Sequence, residues 1–157
     1  MEKNCIWGLD VSMSRTGITI VGNDTNIRNP VFLGSVETNS DDESGRRLKI
    51  IADEIIRLKD LFYPKEVAIE AGFYRFNKST QVIYMVHGVV RYLLHDVSIY
   101  SYPPATVKKL AGGKGNMKKD ELRQKMIENY GHVGFSNNDE SDSFAVLVAH
   151  LKEKGIL

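Results

Sequence analysis

Two short apolar runs in this chain each end in a carboxylate, and that pairing restricts the fold more than any other feature. Ile6-Trp7-Gly8-Leu9 leads into Asp10, and Val67-Ala68-Ile69 leads into Glu70. Runs of this length and composition read as buried strands. A carboxylate closing such a run is costly to bury without a partner or a metal ion. If the two strands are parallel neighbours, both acids emerge at one edge of the sheet, and ligands of open α/β sheets bind at the carboxyl ends of strands. A turn or a helix cap explains either acid alone. Two at equivalent strand ends are harder to explain that way.

The rest of the chain supplies a sheet for these strands. TGITIVG follows the first strand after a short turn around Ser12–Arg15, and VFLGSVET follows in turn, which predicts a three-stranded antiparallel meander. RRLKIIADEIIRLKDLF has apolar residues at 48, 50, 51, 55, 56, 58 and 62, the spacing of a helix, with Tyr63-Pro64 as its stop. QVIYMVHGVVRYLLHD is apolar on nearly every face, so a helix over 79–94 is expected to lie within the core or at a subunit interface. Gly88 inside it costs roughly 1 kcal/mol against alanine unless a close approach compensates. VSIYSYPP reads as a further strand, ATVKKLA and KDELRQKMIENYG as helices around a glycine-rich basic loop, and ESDSFAVLVAHLKEKG as a last helix capped by FSNND. The expected fold class is α/β: a five-stranded mixed sheet, antiparallel meander plus parallel strands, with helices on both faces. No repeat or linker divides residues 1–157, which are expected to form one domain.

Composition narrows the function classes. Hydrophobic residues make up 42% and charged residues 26% of the 157, the proportions of a soluble globular protein. No apolar run approaches the ~18 residues of a membrane helix, and the opening MEKNCIWGLD does not read as a signal peptide. A single cysteine, Cys5, excludes an intramolecular disulfide and a cysteine-rich zinc site; it reads as a small buried residue in a cytoplasmic protein. The formal net charge of +1 is unevenly distributed. Residues 71–119 hold eight basic side chains (Arg75, Lys78, Arg91, Lys108, Lys109, Lys114, Lys118, Lys119) and one acid, Asp96, while each flank is net negative by three. Such asymmetry suits a polyanionic partner, or simply a solvated basic face.

The last helix adds Asp139 and Asp142, which a three-residue spacing places on one face near its N-terminus. Acids there also complement the helix dipole, and Asp139 could serve only as a cap. The apolar stretch from Phe144 onward, however, should press this helix against the sheet. Together Asp10, Glu70, Asp139 and Asp142 could hold two divalent cations ~3.5–4 Å apart, as in-line displacement at phosphorus requires. An all-oxygen donor set selects Mg²⁺, with Mn²⁺ as substitute, over zinc.

GLDVSMSRTGITIV, VAIEAGF, YPPATVKKLAGGKGNMKKDEL and NNDESDSFAVLVAH resemble, in order and spacing, the RuvC-type Holliday junction resolvases, over nearly the whole chain. The resemblance implies an RNase H-like fold and a structure-selective endonuclease that makes paired nicks in branched DNA as a homodimer, using the helix after the fourth strand in the interface. It matches Asp10, Glu70, Asp139 and Asp142 to the catalytic acids, Lys108 and Lys119 to basic positions close to the scissile DNA, and Phe73 to an aromatic that stacks on an unpaired base. Val11-Ser12 replaces a usual Pro-Gly, and Ala71 a usual Gln. These departures leave the cellular members' cleavage-site preference and their branch-migration motor partner without support. They look more like a phage- or virus-encoded member.

On this reading the basic segment lines the DNA path. Lys108, Lys109, Lys114, Lys118 and Lys119 would bind phosphates, and Phe73, Arg75 and Lys78 belong to a stretch whose mixture of aromatic and basic residues suits splayed bases. His87, His95 and His150 lie among apolar residues and read as structural; no role is assigned to His132. Three rival readings remain. One is a different RNase H-like nuclease acting on RNA–DNA hybrid or duplex, another a non-cleaving junction-binding protein. The third is an actin-like nucleotide-binding ATPase, suggested by GLDVSMSRTGITIV but needing two such domains.

Overall fold

A computed structural model describes residues 1–72, 78–131 and 134–157, the side chains of Lys78 and Ser79 excepted. Phe73 and Arg75, the side chain of Lys78, and His132 therefore lie outside the described residues. The chain runs β1 (Glu2–Asp10), β2 (Arg15–Val21), β3 (Phe32–Glu37), α1 (Ser44–Leu61), β4 (Phe62–Glu70), α2 (Lys78–Leu93), β5 (Ser98–Tyr102), α3 (Pro104–Gly112), α4 (Lys119–Tyr130) and α5 (Asn138–Glu153). One five-stranded sheet has the order β3-β2-β1-β4-β5. Its first three strands are antiparallel, and β4 and β5 run parallel to β1.

The two-residue period of a strand decides what each face holds. Cys5, Trp7 and Leu9 of β1, Ile18 and Ile20 of β2, and Val67 and Ile69 of β4 pack with Ile51, Ile55 and Leu58 of α1 and Val86, Val90 and Leu94 of the α2 region. The alternate positions, Ile6, Val21 and Ala68 among them, pack beneath α3, α4 and α5. Asp10 and Glu70 continue this second set, so strand alternation directs both acids to the face that α5 covers. Leu9 is the register partner of Ile69, which leaves Asp10 and Glu70 side by side at the strand ends.

Helix α5 is seated unusually close to the sheet. A methyl group on Gly17 would lie 1.9 Å from the Asp139 carbonyl oxygen, and one on Gly8 would lie 2.5 Å from that of Ser143. Between these points the Thr19 and Ser143 hydroxyls hydrogen-bond at 2.8 Å, both buried. Helix α5 is capped by Asn137, whose side chain accepts from the Glu140 amide at 3.0 Å. Farther along, buried His150 meets the Tyr102 hydroxyl through Nδ1 at 2.7 Å and the Glu66 carboxylate through Nε2 at 2.8 Å. These contacts fix where the N-terminal turn of α5, and its two acids, must sit.

Two local expectations are corrected, the start of β4 and the place of His95. The first helix ends at Leu61, just ahead of Tyr63-Pro64 as expected, but β4 already starts at Phe62 and runs through Pro64 instead of beginning after it. Proline supplies no ladder donor, and its register partner Cys5 stands between two irregularities, next to Asn4 at φ 63°. Helix α2 is apolar all round in sequence. Among its described side chains Val86 and Val90, with Leu94 just beyond it, are fully buried while Tyr84, Met85 and Tyr92 are exposed. Of the two expected places, core or subunit interface, it therefore does not lie wholly in the core. Within the single chain, no described residue beyond the helix's own backbone comes within 4 Å of where a side chain at Gly88 would begin. His95 is exposed rather than embedded in a helix, whereas His150 is the structural histidine expected.

Candidate active site

The turn after β1 places the first acid. Ser12 Oγ donates to the Arg15 carbonyl at 2.7 Å and accepts from the Arg15 amide at 3.1 Å, while Thr16 Oγ1 donates to the Ser12 carbonyl at 2.7 Å. This closes a tight return into β2 and sets Gly17 opposite Asp10 in the ladder. Because Gly17 has no Cβ, the backbone of Asp139 rests against it, which carries the first turn of α5 over the end of β1.

Four acids from three elements therefore act on one another. Burial, followed by the charges of Asp142, Glu70 and Asp139, pushes the Asp10 carboxyl up to about 8 from 3.8, against a downward pull from Lys119. Glu70 is raised by burial and by Asp142, and lowered by Lys119 and Lys108. Burial, then Asp142, raises Asp139, with Arg15 opposing. Where burial and neighbouring charge oppose the ionisation of carboxylates in this way, a cation would be strongly stabilising.

The protein's own cations stand around this group. Lys119 Nζ donates to Asp142 Oδ2 at 3.0 Å, and its pKa is raised chiefly by that bond. Arg15 lies 3.6 Å from Asp139 and 2.9 Å from Glu37. Lys108, on α3, lines a small cleft with Glu70, Lys119 and Asp142. Lys109, Lys114 and Lys118 are exposed and are not among the charges acting on the acids. Of the basic positions singled out in the sequence, Lys108 and Lys119 thus reach the acids. Arg15 and Glu37 were not singled out, although Arg15 follows the turn after Asp10 and Glu37 is its cross-strand register partner.

The oxygen-only donor set suits a hard divalent ion. As the side chains stand, however, no three His, Cys, Asp or Glu residues among the described ones form a group that could hold a metal ion. Lys119 and Arg15 instead engage Asp142 and Asp139. The structure gathers the four acids but does not close them into a cage, so cation binding would require these side chains to turn.

Comparison with known proteins decides the family. The family model "Crossover junction endodeoxyribonuclease RuvC" matches residues 6–150. The chain belongs to the RuvC family. Its enzyme class is accordingly that of a junction-resolving endodeoxyribonuclease. The RuvC of Ehrlichia chaffeensis is 31% identical over 153 residues, covering 95% of this chain and 97% of its own. That of Wolbachia sp. subsp. Brugia malayi is 30% identical over 154 residues, covering 95% and 94%. Both relatives are bacterial and lend no support to a phage or viral source. The structure of T. thermophilus RuvC in complex with Holliday junction substrate aligns with a TM-score of 0.82 over 98% of this chain and 96% of that one, at 19% identity. The fowlpox virus Holliday junction resolvase aligns at 0.56, with 13% identity, over 96% and 99%. Both likenesses establish the fold, the RNase H-like fold of RuvC. Among the described residues, no helix is long and apolar enough to cross a membrane.

Proposed function

We propose that residues 1–157 form a single cytoplasmic nuclease domain that nicks four-way DNA junctions, and by the same chemistry forks and flaps, as a Mg²⁺-dependent homodimer. The observation that carries the chemistry is the gathering of four acids at one sheet edge, where the charge of Asp142 acts on Asp10, Glu70 and Asp139 together. These four would hold two Mg²⁺ ions, with Mn²⁺ as substitute, which supply an activated water and charge stabilisation for displacement at phosphorus. Asp10 gives up the proton that burial favours, so that its carboxylate can serve as a ligand beside that of Glu70. Lys119, released from Asp142, and Lys108 present positive charge to the phosphates next to the one cleaved. Lys109, Lys114 and Lys118 bind phosphates farther along and add salt-dependent affinity. Phe73, Arg75 and Lys78, in the segment directly after β4, fit contact with unpaired bases.

Dimerisation through α2 fits its exposed side. Met85, Gly88 and Tyr92 are spaced along one face, with Met85 40% and Tyr92 75% exposed, opposite the buried Val86 and Val90. Two sites related by a two-fold axis suit paired nicks in a four-way junction.

The test is a digest comparing a four-way junction, a fork, linear duplex and an RNA–DNA hybrid, with and without Mg²⁺. Paired metal-dependent nicks in the junction, lost in Asp10→Asn and Glu70→Gln while junction binding in EDTA persists, support the proposal. Preference for the hybrid would replace it with the reading as a hybrid nuclease. Binding without nicking would replace it with that of a junction-binding protein.

A further inference from the structure

Arg15 is held by two acids at once at this site. Its guanidinium reaches Glu37 at 2.9 Å and Asp139 at 3.6 Å, and it is about a third exposed, at 34%. The arrangement is built into the sheet. Arg15 and Glu37 are register partners across β2 and β3, so their side chains leave opposed backbone positions on one face. Asp139 is brought to the same point from above, because its backbone rests on Gly17, two residues along β2. Glu37 is 68% exposed and is not among the charges acting on Asp10 or Glu70. It is placed to receive Arg15 but not to join the four acids.

We propose that Arg15 is a positioning residue that competes with a divalent cation for Asp139, and that Glu37 is the acceptor to which it retires when the cation binds. This rests on the reading of Asp139 as a metal ligand. A guanidinium beside a carboxylate satisfies its charge and opposes the approach of a second cation. Moving Arg15 from a shared position fully onto Glu37 requires only side-chain rotation, since Glu37 already holds the shorter of the two contacts. The consequence is a charge exchange. Without a metal, Arg15 limits repulsion between Asp139 and Asp142; with one, it withdraws and leaves Asp139 to the ion.

The competition has a sign that a purely structural ion pair lacks. Removing the competitor by Arg15→Gln should tighten divalent-ion binding. Removing its retreat by Glu37→Gln should loosen it, because Arg15 is then left to Asp139 alone. Each change should be about three- to tenfold, the scale of a half-exposed ion pair acting on a doubly charged ion. In the double variant Glu37→Gln should lose its effect, since Arg15 is no longer there to be returned.

Isothermal titration of Mn²⁺ into the DNA-free protein reads this directly, with thermal melting as a check that each exposed-site variant is folded. Tightening in Arg15→Gln, loosening in Glu37→Gln and a double variant equal to Arg15→Gln support the exchange. Wild-type binding that is abolished by Asp10→Asn but unchanged or weakened by Arg15→Gln overturns the exchange and leaves the metal reading intact. If wild-type protein takes up no Mn²⁺, or if Asp10→Asn binds as well as wild type, both fall together.

Discussion

Asp10→Asn should make the metal-free protein more stable, although it removes a side chain essential to the proposed chemistry. The Asp10 carboxyl is held at about 8, against 3.8 for the same group in an unfolded chain. A carboxylate whose pKa is raised on folding contributes fully below its unfolded value, and that contribution is lost as pH rises through the folded one. Between 3.8 and neutral pH lie about three units at ~1.4 kcal/mol each, an upper figure on the order of 4 kcal/mol. Side-chain rotation and water entry reduce it. If half survives, the melting temperature of a chain this size rises by about 4–8 °C. Asparagine keeps the shape and cannot ionise, so it escapes this cost. The assay is thermal or urea denaturation of both proteins in EDTA from pH 4 to pH 9. The advantage of the variant should be small near pH 4, grow towards pH 8 and level off above it. A divalent cation should then stabilise wild type and not the variant. Equal or lower stability of Asp10→Asn at pH 7 would show that the acids are not crowded as described.

Three further outcomes are expected. Gly17→Ala places a methyl group where the Asp139 carbonyl oxygen already stands, so the first turn of α5 must lift. Denaturation should show a loss of about 1–3 kcal/mol, and cleavage should fall by more than the loss of folded protein explains. Lys119→Ala removes the hydrogen bond to Asp142 and a charge that lowers both Asp10 and Glu70. Nicking should slow more than junction binding weakens, one phosphate contact being a small part of the affinity; equal effects in filter-binding and cleavage assays would contradict this. Met85→Glu on the exposed side of α2 should shift the protein from dimer to monomer in sedimentation, with nicks then made singly rather than in pairs.

Much of this arrangement is legible in the sequence, because it follows from local patterns. The runs ending in Asp10 and Glu70 identify two strands, and parallel pairing of those strands places both acids at one edge. Period-two alternation then assigns them to the face under α5, which the apolar run from Phe144 presses onto the sheet. What the sequence hides is tertiary. Gly8 and Gly17 read as ordinary strand residues until α5 is seen to need the space a Cβ would fill. Arg15 gains meaning only from Glu37 across the ladder and Asp139 above it. That β4 begins at Phe62, ahead of Pro64, is hidden because the irregular pairing around Asn4 and Cys5 is not written locally. The apolar pattern of α2 fits core and subunit interface alike, because periodicity cannot distinguish a buried helix from one whose apolar side is exposed in the single chain.

Anomalous diffraction from crystals soaked in Mn²⁺ tests the central claim most directly. The account predicts manganese peaks bounded by the carboxylates of Asp10, Glu70, Asp139 and Asp142, with Arg15 turned to Glu37 and Lys119 detached from Asp142. Well-ordered crystals in which manganese binds elsewhere, with those four side chains unmoved, would contradict it.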